Sequence, residues 1–512
     1  MKISGKNTIG FQLSQLGEKT FRSFDPARNV ENETLFYEAT PAEVEEAMKC
    51  AGAVCEAFAQ LPGKKRGDFL RRIALLMETN QQVLLEEYVR ESGLKPARAQ
   101  VELKRTLFHL NAFAELISEE GWDLIHEDPA EPGRQPTPKP GLTKMYFPIG
   151  TVVVFGASNF PFAYSTVGGD TVAALAAGCP VVVKSHPMHA GTGDLVAQLV
   201  VQAAQETGMP EGVFGHLQVQ DLEIAQSLVL HPVTKAVGFT GSFKGGMALY
   251  RLGQQRPDPI PVFAEMGSVN PVIVLPEVMA ENAAGIAAKI ADSLTQSSGQ
   301  FCTNPGLIFV TENPALGEFR HALVEALRTK EPETMLHPAI HGKYNELRDR
   351  VKQQPGVEIL VESGTGGQPN TGQIQLSQVD APHFMDNPIL EEEVFGPHSL
   401  LVVCPDSNTL KQVIQGLDAQ LTASVFAKAQ EFLGQKHLIF LLQQKVGRII
   451  LNGVPTGVEV SPAMHHGGPF PATTDARFTA VGTDAIYRFL RAICYQNFPQ
   501  EYFPKKLNSK EF

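Results

Sequence analysis

Long apolar runs are missing from this 512-residue sequence, and none reaches the roughly 18–20 residues that a membrane-spanning helix needs. The opening residues, MKISGKNTIGFQLSQLG, contain no apolar stretch of the kind found in secretory signals. Lysine and arginine form no consecutive block longer than the three residues KKR at 64–66, and the formal net charge is −12. Because nucleic-acid phosphates are neutralised by basic stripes, we expect no nucleic-acid partner. The missing apolar runs and secretory signal lead us to expect no membrane partner and a cytoplasmic location.

Cysteine is also scarce, with only 6 residues scattered along the chain and no CxxC pair. This usage is typical of free thiols in a reducing compartment. The histidine pairs His186/His189 and His465/His466 lack the HExxH spacing of a zinc site. We therefore expect no metal.

The hydrophobic pattern changes near residue 151. Helical periodicity dominates residues 41–60, 64–92 and 101–120, whereas short Val-rich runs such as TVVVF and PVVVK then alternate with helices. Such runs are typical of parallel strands covered on both faces. The expected fold is α/β, with two doubly wound parallel-sheet domains and a small oligomerisation arm. The boundaries we predict are 1–126 and 147–266 for a dinucleotide-binding domain, 267–468 for a catalytic domain, and 127–146 and 469–512 for the arm and tail.

Cys302 lies in SSGQFCTNPG, where a helix gives way to a turn before the strand GLIFV. On such a loop, backbone N–H groups are expected to lower the thiol pKa below its free value of about 8.5. A lone cysteine is equally compatible with a structural thiol. Other residues of the chain are needed to choose between a catalytic and a structural cysteine.

Two further polar residues follow predicted strands. Asn159 comes directly after TVVVF, at the sheet edge where open α/β folds bind ligands, and its amide could donate to an oxyanion. A turn-forming role for this Asn remains open. Glu265 ends the strand PVFAE and is a candidate general base, or else a paired structural carboxylate.

The motifs ASNFPF, VVVK, GFTGS, AEMGS, GQFCTNPG and EEEVFGP occur in one order along the chain, and together they resemble the aldehyde dehydrogenase superfamily. Longer stretches such as NGVPTGVEVSPAMHHGGPFPATTDARF resemble its 2,5-dioxovalerate (α-ketoglutaric semialdehyde) dehydrogenase branch, which is similar to certain NADP-dependent bacterial fatty-aldehyde dehydrogenases. The resemblance implies roles for eight residues. Cys302 is the nucleophile, Glu265 the base and Asn159 the oxyanion donor; Lys184, Gly241, Ser242, Glu393 and Phe395 bind the cofactor.

The cofactor preference is predicted from the residues after VVVK. NAD-preferring relatives carry a Glu three positions after the lysine, and this chain has Pro187 there. Without that carboxylate a 2′-phosphate meets no like charge, so Lys184, Ser185 and His186 could bind it. We expect NADP to be accepted at least as well as NAD.

The expected activity is oxidation of an aldehyde to its acid through a thioester on Cys302, with 2,5-dioxovalerate as substrate and 2-oxoglutarate as product. A medium- or long-chain fatty-aldehyde dehydrogenase is the alternative within the same scaffold, and a catalytically dead binding protein is the alternative from another class. Arg477 or His466 is our expectation for the residue that meets the substrate carboxylate. Four phenylalanines are candidates for the aldehyde tunnel: Phe160, Phe162, Phe301 and Phe470. A homodimer or homotetramer is expected.

Overall fold

The computed structural model describes residues 1–119 and 125–499. The last residue of the helix predicted for 101–120 and the end of the tail, 500–512, lie outside the described residues. The strands are β1 Asn7–Ile9, β2 Gln12–Ser14, β3 Thr20–Phe21, β4 Phe24–Asp25, β5 Val30–Glu31, β6 Phe36–Tyr37, β7 His126–Asp128, β8 Leu142–Pro148, β9 Thr151–Phe155, β10 Val181–Lys184, β11 Phe214–Leu217, β12 Thr234–Thr240, β13 Val262–Glu265, β14 Val272–Val274, β15 Leu307–Thr311, β16 Glu358–Glu362, β17 Gln375–Asp380, β18 His398–Cys404, β19 Gln420–Phe426, β20 Val446–Leu451 and β21 Leu490–Gln496. The α-helices are α1 Pro41–Ala53, α2 Cys55–Ala59, α3 Gly63–Thr79, α4 Gln81–Ser92, α5 Pro96–Ser118, α6 Gly169–Ala177, α7 Ala190–Glu206, α8 Leu222–Leu230, α9 Phe243–Gln255, α10 Pro276–Thr295, α11 Leu316–Arg328, α12 Pro338–Lys352, α13 Ala381–Met385, α14 Ser407–Gly416, α15 Ala429–Gly434 and α16 Lys436–Lys445.

The first large sheet has the strand order β13-β12-β9-β10-β11-β1-β2. Strands β9 to β13 run parallel, and their Val-rich residues are buried because helices cover both faces. The short strands β1 and β2 extend the edge in the antiparallel sense. The parallel part was predicted from the sequence, whereas the antiparallel edge was not.

The second large sheet has the order β16-β17-β18-β15-β14-β19-β20. All of its neighbouring pairs are parallel except β16 with β17. Two apolar clusters, one on each face, enclose it. The expected α/β class with two parallel sheets is confirmed.

The amino-terminal helices form a layer against the first sheet, with α3 packed along α5. Thr40 caps α1 in a capping box with Glu43, as the sequence predicts. The helix predicted for residues 64–92 is in fact divided at Asn80. The Asn80 side-chain amide donates to the Leu76 carbonyl at 2.8 Å, and α3 ends there before α4 begins.

A third, smaller sheet has the order β21-β8-β7. The predicted arm thus forms an antiparallel unit with β21 of the carboxyl-terminal segment, but its role in oligomerisation stays a prediction. Among the described residues, no helix combines the length and the apolarity required to traverse a bilayer.

Candidate active site

Glu265 is the last residue of β13, in register with Thr240 of the neighbouring strand β12. It is buried, and an isolated antiparallel bridge joins its backbone to Thr473. The Met266 N–H donates to the Ala472 carbonyl at 2.9 Å. The carboxyl-terminal segment is therefore laid across the end of the first sheet and closes the site on that side.

Cys302 follows a tight turn that begins where α10 ends. Ser297 and Ser298 have φ of 52° and 55°, and Gly299 has φ of 65°. A Cβ on Gly299 would overlap the Gly396 backbone, so only glycine fits there. The buried Asn270 amide fixes the far side of the turn by donating to the Cys302 carbonyl at 2.8 Å. Sequence-distant polar groups thus hold the thiol in place.

The thiol, an imidazole and a carboxylate meet at one point. Cys302 Sγ lies 3.5 Å from His466 Nε2, and the same nitrogen lies 3.1 Å from Glu265 Oε1. The three side-chain atoms all fall within 4.8 Å of one another. Neither Glu265 oxygen has a well-aligned hydrogen-bond donor among the described residues. No spacing pattern predicts this cluster, because His466 is distant in the chain from both partners.

The electrostatics of the thiol differ from expectation. Burial raises the pKa of Cys302 well above its usual range, and the nearby carboxylates Glu265 and Glu393 raise it further. The prediction of a lowered pKa was wrong, because it considered the backbone N–H groups of the turn and not the two carboxylates that the fold brings in.

Asn159 is buried immediately after β9. Its side-chain Nδ2 donates to the Gln300 carbonyl at 3.0 Å, two residues before the thiol. The rings of Phe160 and Phe301 also contact each other, with centroids 5.5 Å apart. The amide and the nucleophile candidate therefore lie on neighbouring loops of the same cleft.

Lys184 and Ser185 stand at the carboxyl end of β10, between β9 and β11. Burial lowers the pKa of Lys184 to about 8, an effect that Glu38 partly opposes. The Ser185 hydroxyl is buried without a hydrogen-bond partner among the described residues. An orphaned hydroxyl beside a lysine fits a ribose or phosphate group, so these residues suit a dinucleotide.

Gly241 and Ser242 connect β12 to α9. Ser242 caps α9, its Oγ accepting from the Gly245 N–H at 3.2 Å. The first turn of this helix is exposed and could receive a pyrophosphate. Gly267, two residues after β13, also lies close to a predicted cofactor residue. A Cβ on Gly267 would overlap the Glu393 carboxylate, so glycine is required there.

Glu393 and Phe395 are both partly buried and line one pocket between the strand ends. Burial raises the pKa of Glu393 to about 7, although a contact from the Ser268 N–H opposes this shift. The adjacent Glu392 instead faces solvent and pairs with Arg350 at 2.9 Å. Glu393 is thus the more buried of these two carboxylates, and it shares the pocket with the Phe395 ring.

A cavity of about 590 Å³ opens onto Cys302. Of the four predicted tunnel residues, Phe160 and Phe301 line it. Phe162 packs in the core against Tyr88, and Phe470 is exposed beside Phe243, so neither contributes.

The cations of this cavity are not those expected from the sequence. The Arg477 side chain is 80% exposed, pairs with Asp475 and is not in the lining. His466 does line the cavity, but it faces the thiol. Arg98, Lys104 and Arg105 of α5 supply the positive charge instead. Their helical spacing was the signal that could have revealed them.

Comparison with known proteins matches this architecture. A profile described as the aldehyde dehydrogenase family covers residues 13–469. Alpha-ketoglutaric semialdehyde dehydrogenase 2 of Azospirillum brasilense is 42% identical over 99% of this chain and 97% of its own length. Alpha-ketoglutaric semialdehyde dehydrogenase of Acinetobacter baylyi is 41% identical over 98% and 96%.

The fold is shared with solved structures of lower identity. Betaine aldehyde dehydrogenase from Staphylococcus aureus in complex with NAD+ superposes with a TM-score of 0.82 at 18% identity, covering 98% of this chain and 97% of that one. Thermus thermophilus 1-pyrroline-5-carboxylate dehydrogenase gives 0.79 at 20% identity, covering 96% and 92%. Profile, relatives and fold agree: this chain belongs to the aldehyde dehydrogenase family.

Proposed function

We propose that this enzyme oxidises 2,5-dioxovalerate (α-ketoglutarate semialdehyde) to 2-oxoglutarate, with NADP accepted as hydride acceptor at least as well as NAD. The observation that carries the proposal is the identity of 41–42% over nearly the whole chain with two enzymes named for that aldehyde. The cations in the cavity at Cys302 support it, because the substrate is an anion. Overall, aldehyde, water and NADP+ give the acid, NADPH and a proton.

Cys302 is the nucleophile in this proposal. Its sulfur bonds to the aldehyde carbon, and the resulting oxyanion accepts hydrogen bonds from the Asn159 amide and the Cys302 N–H. The nicotinamide cofactor that Lys184, Ser185, Gly241, Ser242, Glu393 and Phe395 would hold would supply the acceptor for the hydride that leaves this carbon. The acyl group remains on sulfur as a thioester. The raised thiol pKa requires that a neighbour removes the proton, and Glu265 and His466 are both within reach.

Glu265 activates water in the second half of the cycle. Its buried carboxylate lies beside the thiol and has no aligned donor, so it is free to take a proton from a water that attacks the thioester carbon. The carbon–sulfur bond then breaks and the acid leaves. CoA-acylating enzymes do not need such a base, so its presence favours hydrolysis.

Two variants test these roles. Cys302→Ala should lose dehydrogenase and esterase activity while it still binds NADPH, whereas Cys55→Ala, a thiol in α2, should retain activity. Glu265→Gln should release one equivalent of NADPH per subunit and then stop, with the acyl adduct visible by intact-protein mass spectrometry. Steady turnover of Glu265→Gln at the wild-type rate would refute its role; exposed Glu312→Gln is the matched control.

The cofactor preference is proposed from the residues after β10. Pro187 begins a 3-10 turn where a carboxylate would repel a 2′-phosphate, and Lys184 with the unpartnered Ser185 hydroxyl supports phosphate binding. A kcat/KM ratio that favours NAD a hundredfold would contradict this preference.

The substrate is tested by comparing kcat/KM for 2,5-dioxovalerate, hexanal and decanal. A fatty-aldehyde dehydrogenase is the second candidate, because Phe160 and Phe301 add apolar surface to the cavity. Higher kcat/KM for decanal than for the oxo acid would favour it. Absorbance of NADPH in the same assay tests the inactive-protein alternative.

Assembly and location are proposed from the small sheet and from the cysteines. The three-stranded sheet β21-β8-β7 stands apart from both large sheets, which suits a contact between subunits. We propose a homodimer or homotetramer, which light scattering tests. All six cysteines are free thiols, which suits the cytoplasm.

A further inference from the structure

One wall of the cavity at Cys302 is a single face of α5. Arg98, Val101, Arg105 and Phe108 recur at helical spacing along it, and Lys104 stands beside them. The only carboxylate in the cavity lining is Glu459. This wall therefore presents an excess of positive charge to whatever enters the cavity.

The three cations differ in how far they are already paired. Arg98 binds the buried Glu102 carboxylate at 3.0 Å, and its guanidinium stacks 4.6 Å from the Phe160 ring centroid. Lys104 is exposed. The Arg98 charge is thus already paired with a carboxylate of the protein, whereas Lys104 is exposed to solvent at the rim of the cavity.

Arg105 has neutral partners only. Its guanidinium donates to the Val458 carbonyl and forms a hydrogen bond with the Tyr164 hydroxyl. No carboxylate pairs with it in residues 1–119 and 125–499. A half-buried guanidinium with five N–H donors and no counter-ion is suited to bind a carboxylate through two parallel hydrogen bonds.

Tyr164 lines the cavity together with Arg105, Cys302 and His466. Its ring centroid lies 6.5 Å from that of His466, whose Nε2 is 3.5 Å from the Cys302 sulfur. Arg105 and the thiol line the same cavity. A molecule with an aldehyde at the thiol and an anionic group a few carbons away can therefore contact both.

We propose that Arg105 and Tyr164 form a subsite for the distal carboxylate of a short oxo-acid aldehyde. The subsite rests on the proposed function, which it deepens by assigning the charge recognition to named residues. Because the carboxylate does not react, its contacts are the same before and during the chemistry, so they act on KM more than on kcat.

The test compares aldehydes that differ only in the carboxylate. Kinetics of Arg105→Met are measured with 5-oxopentanoate and pentanal, and with 2,5-dioxovalerate. We expect kcat/KM for both oxo acids to fall about 10- to 100-fold, the range for a lost hydrogen bond to a charged group, mainly through KM. Pentanal should change less than about threefold, since it makes no such bond.

Three control variants distinguish a specific carboxylate contact from the overall positive charge of the cavity and from a defect in folding. Lys104→Met should reduce oxo-acid kcat/KM far less than Arg105→Met does. Tyr164→Phe keeps the ring and loses one hydroxyl, so a milder loss confined to oxo acids is expected. Arg105→Lys keeps the charge, so its kcat/KM for oxo acids should be higher than that of Arg105→Met. If Arg105→Met does not fold, Arg105→Lys still tests the subsite.

Two failures are distinguishable. If wild-type enzyme prefers oxo acids and Arg105→Met or Arg105→Lys keeps that preference at full strength, the subsite is wrong and the proposed function stands. If wild-type enzyme oxidises pentanal as well as 5-oxopentanoate, and 2,5-dioxovalerate no better, both fail. A fall of equal size with pentanal would show a structural role and overturn the subsite.

Discussion

Lys184 should make NADP binding depend on pH in a range where most lysines do not titrate. Burial lowers its pKa to about 8 in the unliganded protein. A 2′-phosphate carries nearly two negative charges at pH 7, so it binds the charged lysine and not the neutral one. The affinity is therefore complete below pH 8 and is lost as the pH rises through that value.

The magnitude follows from the fraction of charged lysine. At pH 7 about nine-tenths of Lys184 is charged and at pH 9 about one-tenth, so Kd for NADPH should rise about tenfold, or about 1.4 kcal/mol. Kd for NADH should change much less. Burial raises the pKa of Glu393 to about 7, but its predicted contact is to the nicotinamide ribose that both cofactors contain, so the ratio of the two Kd values isolates the lysine.

The assay is titration of nicotinamide fluorescence at constant ionic strength and pH 7, 8 and 9. Lys184→Met should bind NADPH at pH 7 at least as weakly as wild type does at pH 9, and its Kd ratio should be flat. Lys235→Met, an exposed lysine of β12 in the same sheet, should behave as wild type. A flat wild-type ratio, or a slope that persists in Lys184→Met, would refute the reasoning.

Three further changes test other parts of the structure. Asn159→Ala should lower kcat about 10²- to 10³-fold in steady-state assays by removing an oxyanion donor, and a change confined to NADPH affinity would contradict that role. Glu102→Gln should destabilise the fold by about 3–5 kcal/mol, because it breaks a buried pair with Arg98 and leaves donors unmatched; an unchanged midpoint of thermal unfolding would oppose this. Gly267→Ala should displace Glu393 and weaken binding of NADPH and NADH alike, so unaltered affinity for both would show that the carboxylate is not a cofactor contact.

The parallel sheets could be predicted because their signal is local. TVVVF and PVVVK are buried on both faces, and a run of valines shows that without knowledge of the neighbours. Asn159, Lys184 and Glu265 follow or end such strands, and parallel strands end at a common edge, so their convergence is also predictable. The short strand β1 gives no such signal, since it forms by adding to the edge strand β11.

The rest of the site depends on distant contacts. His466 reaches Cys302 only because the carboxyl-terminal segment crosses the end of β13, and no spacing rule relates those positions. The raised thiol pKa has the same origin, since it depends on where two carboxylates arrive. Arg105 is different: its spacing from Arg98 on α5 was visible in the sequence, but only the cavity shows which face of that helix the substrate would meet.

The crossing of the carboxyl-terminal segment over β13 has a consequence for synthesis on the ribosome. Both large sheets can form once residues up to β20 have emerged, yet the imidazole of His466 and the backbone that bridges Glu265 are translated afterwards. During that interval the Cys302 sulfur lacks one wall of its surroundings. On the proposed mechanism, a nascent chain that stalls shortly after β20 would contain both large sheets but lack the residues that complete the site, and it should be inactive.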